Sequence, residues 1–148
     1  MFFQGNLGLK DQLLALTWIK ENISAFGGCA DNITLFGESA GSASTHYHML
    51  SGRSEGLFHK AILQSGTALC SWTLTRDPDA QVHRMAKELL SCAGNTSAEL
   101  KEQLRMVPWQ DLVKIGTKMN KMPHLTTFNP VVEQHHGCLL YTSPSPRD

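Results

Sequence analysis

The five residues Gly37-Glu38-Ser39-Ala40-Gly41 stand between the apolar run Ile33-Thr34-Leu35-Phe36 and the small-residue segment 42–50. A β-branched apolar run, a serine between two glycines and then an Ala/Ser/Gly-rich stretch read as strand, sharp turn and helix. The next apolar run, Lys60-Ala61-Ile62-Leu63-Gln64, supplies a second strand after the helix, and a strand joined to the next by a helix is a parallel crossover. The turn itself carries chemistry. A serine hydroxyl is a poor nucleophile in water, so it must be exposed, aligned with a base and given donors for the oxyanion that forms on attack. A serine at the apex of such an elbow is held in a strained backbone conformation, and the glycines two before and two after it pass close to neighbouring strand and helix. The N–H of Ala40, at the first turn of the following helix, is left free as an oxyanion donor, and the helix dipole favours negative charge there. The bare pattern G-x-S-x-G arises by chance in roughly one in twenty chains of this length, so the flanking segments carry the argument.

Periodicity organises the rest into further elements. A helix over residues 10–25 is predicted from Leu13, Leu16, Ile19, Ile23 and Phe26, which recur at three- and four-residue spacing on one face, with Gly27 and Gly28 ending it. A buried strand is expected over 33–36, the elbow helix over 39–50 and the parallel strand over 60–64. Residues 79–90, 97–105 and 110–119 read as helices excursing from the sheet, with Gly94 and Asn95 in the turn between the first two. Thirteen Lys and Arg balance thirteen Asp and Glu, and 41% of residues are apolar. There is no basic patch for nucleic acid, no charge run and no apolar stretch near the ~20 residues that span a bilayer.

The motif is part of a longer pattern. Gly8-Leu9-Lys10-Asp11-Gln12, Trp18, Glu21-Asn22-Ile23 and Phe26-Gly27-Gly28 lead into Ile33 and the GESAG pentapeptide at 37–41. His46-Tyr47-His48-Met49-Leu50-Ser51, Gly56-Leu57-Phe58, Ala61-Ile62-Leu63-Gln64-Ser65-Gly66 and Phe128-Asn129-Pro130-Val131-Val132-Glu133 continue it. In order and spacing these blocks strongly resemble the type-B carboxylesterase and cholinesterase family, over about nine tenths of the chain. The resemblance implies the α/β class: a fragment of an α/β-hydrolase fold with central parallel strands, crossover helices and a nucleophile elbow, followed by a helical excursion. It implies a serine ester hydrolase acting on small-molecule esters through an acyl-enzyme on Ser39, with no metal or organic cofactor. An adhesion module is the competing class, since the same fold includes cell-surface members that have lost the nucleophile.

Family members are several times longer than 148 residues, so the expectation is a partial domain over 1–135. The glycine-rich oxyanion loop would lie before it and the catalytic acid and histidine after it, leaving the fragment inactive alone. Residues 136–148 depart from the family pattern, read like translated adapter sequence and contain a Ser-Pro-Ser-Pro stretch unsuited to helix or central strand. Local completion of a triad is rejected. Glu133 with His135 and His136 falls in a block that precedes the catalytic acid in the family. His46 stands about 10.5 Å along the helix from Ser39 at 1.5 Å per residue, beyond hydrogen-bond reach, so His46 and His48 read as helix packing.

Other roles follow from the resemblance and stay open between two readings. Glu38 is either a source of negative field beside the nucleophile or a hydrogen-bonded structural carboxylate. Trp72 matches an acyl-pocket position, although Ser71 stands where proline is common, and reads otherwise as a core aromatic. Ser65 is either a hydroxyl supporting the triad or a strand-end turn serine. The four cysteines, at 29, 70, 92 and 138, have no metal-ligand spacing. Cys92 matches the first cysteine of a family loop disulfide, but Gln103 occupies the partner position; Cys70 matches a buried free thiol. An extracellular setting is favoured by the resemblance, with cytosolic members also known. Of three N-x-S/T patterns, those at Asn22 and Asn32 flank packed elements and are expected to be buried, so only Asn95, in a polar helix-to-helix turn, is expected to serve as a glycan site, and only if the protein is secreted. Oligomeric state is not encoded in these features.

Overall fold

The structure, a computed structural model, describes residues 5–90, 96–120 and 127–133. Helix α1 (Leu7–Asn22) leads through a 3-10 turn (Ile23–Phe26) to strand β1 (Thr34–Glu38). Helix α2 (Ala40–Leu50) crosses over to strand β2 (Lys60–Gln64), which pairs with β1 in parallel, Thr34 opposite Lys60 and Glu38 opposite Gln64. Helices α3 (Pro78–Leu89), α4 (Ser97–Arg105) and α5 (Trp109–Asn120) follow. The parallel strand-helix-strand unit with a helical excursion is what the sequence predicts, and it is the α/β arrangement of an α/β-hydrolase fragment.

Helix α1 starts three residues earlier than predicted and buries Leu9, Leu13 and Leu16. Leu9 and Leu13 meet Tyr47 of α2, with Leu57 and Ala68 packed against them. The predicted stripe fails at its far end: Phe26 is 71% exposed and lies against Trp18, ring centroids 5.8 Å apart. The physical reason is the switch to 3-10 geometry after Asn22, which advances each residue by about 120° rather than 100° and carries Phe26 off the stripe. Gly27, at φ 80°, closes the segment.

The expected buried strand is also revised. Along β1 and β2 alternate residues are exposed and half-buried, because α2 covers one face of the ribbon only. Phe36 and Ile62, paired in register, stand on the other face at 71% and 51% exposure. The covered face admits α2 closely because the helix presents Ser42, Ala43 and Thr45, all buried. In the excursion local capping dominates: Asp77 accepts from the Ala80 N–H with Pro78 at the helix start, and Thr96 and Glu99 form a reciprocal capping box.

Residues 134–148, with His135, His136 and the tail assigned to 136–148, lie outside the described residues, as do Cys92, Gly94 and Asn95. Asn32 contradicts its expected burial and is exposed, because it sits on the turn before β1 rather than in the strand.

Candidate active site

Ser39 is the single residue between β1 and α2, and it adopts φ 54°, ψ −116°. A non-glycine residue there is strained by contact of its Cβ with the backbone, at a cost of about 1–3 kcal/mol, and persists only where the surroundings over-determine it. Three contacts do so. The Ser39 N–H donates to the Gln64 carbonyl at 2.9 Å, extending the β ladder by one step. A Cβ at Gly37 would lie 2.2 Å from the carbonyl carbon and oxygen of Gly41, so the chain can reverse this sharply only with glycine at 37. A Cβ at Gly66 would lie 2.5 Å from the Ser39 carbonyl oxygen, so the loop after β2 packs directly on the apex.

Gly41 takes part in this close passage through its backbone, not through the side where a side chain would stand. A Cβ there would meet nothing outside the helix's own backbone, because the residue lies on the exposed side of the first turn. Ser42, which sequence reasoning passed over, is the tighter fastening: fully buried, its Oγ donates to the Gly66 carbonyl at 2.5 Å. A hydroxyl immediately after a nucleophile elbow, on the helix face turned toward the next strand, is the signal that would have found it.

The Ser39 side chain is exposed. The first carbonyl-directed bond of α2 runs from the Ala43 N–H to the Ser39 carbonyl at 3.0 Å, and the Ala40 N–H has no acceptor among the described residues. It belongs to the orphan donors at the helix start, beside the positive end of the dipole. Glu38, the last residue of β1, is exposed and makes no ion pair among the described residues.

Ser65 shares the positive φ of Ser39, 54°, on the neighbouring strand, one residue after β2. Both serines thus lie at the same level of the carboxyl edge of the parallel sheet, the edge at which open α/β sheets bind ligands. Beyond it the chain is held down on α2. The His46 Nδ1 accepts from the Ala68 N–H at 3.1 Å, and the buried Tyr47 hydroxyl donates to the Thr73 carbonyl at 2.9 Å. Thr73 Oγ1 in turn lies 2.9 and 2.7 Å from the Ala68 and Cys70 carbonyls. Trp72 is half-buried within this fastened loop, and Cys70 is a half-buried thiol accepting from the Thr67 N–H at 3.4 Å.

His48 and Glu133 are occupied elsewhere. His48 is buried, with Nδ1 2.8 Å from Ser54 Oγ and Nε2 3.1 Å from Gln12 Oε1. Only the ring can donate to the Gln12 oxygen, which places the proton on Nε2 and leaves Nδ1 to accept from Ser54; burial pushes the imidazole below its ordinary value. The Glu133 carboxylate accepts from Lys10 Nζ and from Asn6 Nδ2, beside the start of α1. Among the described residues no three His, Cys, Asp or Glu converge as metal ligands, and no helix is long and apolar enough to cross a membrane.

Comparison with known proteins agrees with this architecture. The profile of the Carboxylesterase family matches residues 2–146. The chain is 45% identical over 133 residues to Esterase FE4 of Myzus persicae, covering 87% of this chain and 23% of that protein. It is 50% identical over 101 residues to Cholinesterase 2 of Branchiostoma lanceolatum, covering 68% of this chain and 29% of that protein. It is 42% identical over 130 residues to human Neuroligin-2, covering 88% of this chain and 15% of that protein. The chain therefore spans less than a third of the length of each of these relatives. A match of this extent, over the elbow and both of its flanks, leaves one conclusion: the chain belongs to the carboxylesterase family.

Proposed function

We propose that Ser39 is the nucleophile of a carboxylic-ester hydrolase. Its Oγ attacks the ester carbonyl while a histidine takes the hydroxyl proton, and the alcohol leaves with that proton. Water, activated by the same histidine, then attacks the acyl-enzyme, releases the acid and returns the proton to Ser39. The histidine and the acid that orients it come from sequence beyond these 148 residues, as does part of the oxyanion hole, and the 148-residue chain alone does not turn over ester. Ala40 N–H supplies one oxyanion donor. Glu38 adds negative field at the site, Trp72 lines the acyl side of the pocket, and Ser65 supports the triad from the neighbouring strand end. Gly37 and Gly41 flank the nucleophile.

The observation that carries this reading is the strained φ 54°, ψ −116° backbone of an exposed serine at the start of α2. A packing role alone gives no reason to hold an exposed serine in that conformation. The similarity to Esterase FE4 and Venom carboxylesterase-6 of Apis mellifera supports both an ester substrate and an extracellular setting. The similarity to Neuroligin-2, whose name is not that of a hydrolase, keeps a non-catalytic module as the competing class.

The test is labelling of the full-length protein with a fluorophosphonate probe, which captures an activated serine covalently. Labelling that vanishes in Ser39→Ala supports the esterase. A folded full-length protein that stays unlabelled makes the elbow vestigial and hands the reading to the non-catalytic class.

A further inference from the structure

Asparagine followed by any residue except proline and then serine or threonine is the acceptor pattern for an N-linked glycan, provided the folded surface can carry the sugar. Of the two such patterns among the described residues, Asn22 and Asn32, the structure treats the side chains in opposite ways. At Asn22, half-buried at the end of α1, Nδ2 donates to the Trp18 carbonyl at 2.8 Å, so the atom that would carry the sugar is turned onto the helix backbone. Asn32 is exposed and closes the turn 29–32, its N–H donating to the Cys29 carbonyl at 3.1 Å.

The Asn32 side chain is held by its oxygen. Oδ1 accepts from Lys60 Nζ at 2.8 Å, and because an ammonium can only donate, the orientation of the amide is chemically fixed. Nδ2 is thereby aimed away from Lys60 and has no acceptor among the described residues. Thr34, the third residue of the pattern, is exposed at the start of β1, its hydroxyl likewise without a partner among the described residues.

We propose that Asn32 is an N-glycosylation site. The Asn32 amide nitrogen bonds to the anomeric carbon of a lipid-diphosphate-linked oligosaccharide; the nitrogen gives up a proton and the lipid diphosphate leaves from the same carbon. The Oδ1 contact with Lys60 survives this reaction, since only Nδ2 is substituted. Ile33 and the five-residue strand β1 separate Asn32 from Ser39, and the strand alone, at ~3.3 Å per residue, spans roughly 16 Å. The sugar therefore sits at the amino edge of the sheet and leaves the carboxyl edge, with Ser39 and Ser65, clear for substrate. The inference rests on the extracellular setting proposed above.

The experiment expresses the full-length protein behind a secretion signal in a eukaryotic host. Glycopeptides are mapped from material in the medium or the protease-protected microsomal lumen, before and after enzymatic release, which converts a glycosylated asparagine to aspartate. The expected result is a glycan at residue 32 that is lost almost completely in Asn32→Gln and in Thr34→Ala and kept in Asn22→Gln. Thr34→Ala leaves the Lys60 contact in place, so the answer does not depend on Asn32→Gln folding. Protein recovered from the lumen or the medium with an unmodified Asn32 overturns the proposal. Because the signal forces entry to the secretory route, a native cytosolic location would overturn only the extracellular reading.

Discussion

The elbow half of the molecule and the helical excursion are held in shape by different means. Around Ser39 the conformation depends on contacts between residues distant in sequence: Ser42 to Gly66, Ser39 to Gln64, His46 to Ala68 and Tyr47 to Thr73. In α3 and α4 the ends are fixed by their own neighbours, Asp77 on Ala80 and Thr96 with Glu99. Long-range closure can hold a strained residue because no single side chain can relax it without displacing a strand, whereas a local cap fixes only where a helix begins. A site that needs one serine in a rare conformation is accordingly built in the first way.

The largest expected effect is on chemistry alone. Ser39→Ala in the full-length protein should lower ester turnover on the order of 10⁶-fold, as removal of a triad nucleophile does elsewhere, while the urea midpoint stays close to that of the parent. A variant that retains turnover within tenfold would break the assignment of Ser39.

Gly37→Ala attacks the closure itself. The new Cβ would meet the backbone of Gly41 rather than a yielding side chain, so the expected loss is about 3 kcal/mol of stability or more, at the upper end for overpacking. Turnover should fall with it, because the elbow can accommodate the methyl only by opening. Denaturant unfolding and ester kinetics on the same sample check both halves.

How far the sequence foretold these features follows the same division. The elbow, its strands and the three later helices were legible because each has a local signature: a glycine-flanked serine, β-branched runs, and helical stretches parted by turn residues such as Gly94 and Asn95. Phe26, the exposed faces of β1 and β2 and the open position of Gly41 were not. Their burial depends on what packs against them, which a 3-10 turn or a one-sided sheet changes without altering the hydrophobic pattern. Ser42 escaped notice for the same reason, since its acceptor lies 24 residues away.

His48 sharpens the comparison by making one long-range fastening titratable. Burial lowers its folded-state pKa below the ordinary 6.5, so the unfolded chain takes up the proton first as pH falls. The stability it contributes as a neutral ring is complete above that ordinary value and is lost as pH falls from there through the folded value. Protonation puts a hydrogen on Nδ1, which then loses its role as acceptor from Ser54. Urea midpoints measured from pH 7 down to pH 5 should decline less steeply in His48→Gln than in the parent; equal slopes would remove His48 from the account.

Thr96→Ala tests the local means of support. Loss of the hydroxyl acceptor for the Glu99 N–H removes one arm of the capping box and should cost about 1 kcal/mol, with ester turnover unchanged. A fall in turnover beyond twofold would show that the excursion is coupled to the elbow.

The smallest effect carries the opposite sign. Gly41→Ala adds a methyl four residues from Gly37, within the same pentapeptide, yet its Cβ meets no atom outside the helix's own backbone. Gly41 is already helical, and alanine is favoured over glycine in a helix by up to about 1 kcal/mol, so the midpoint should rise slightly. Paired with Gly37→Ala, this substitution separates the two glycines that the motif presents as equivalent. If both destabilise alike, the exposed side of the first turn is covered in the full-length protein by a neighbour as close as Gly41 is to Gly37. If they diverge as expected, only the glycine before the serine is demanded by the fold of the turn, and any demand for the one after it comes from what binds at the site.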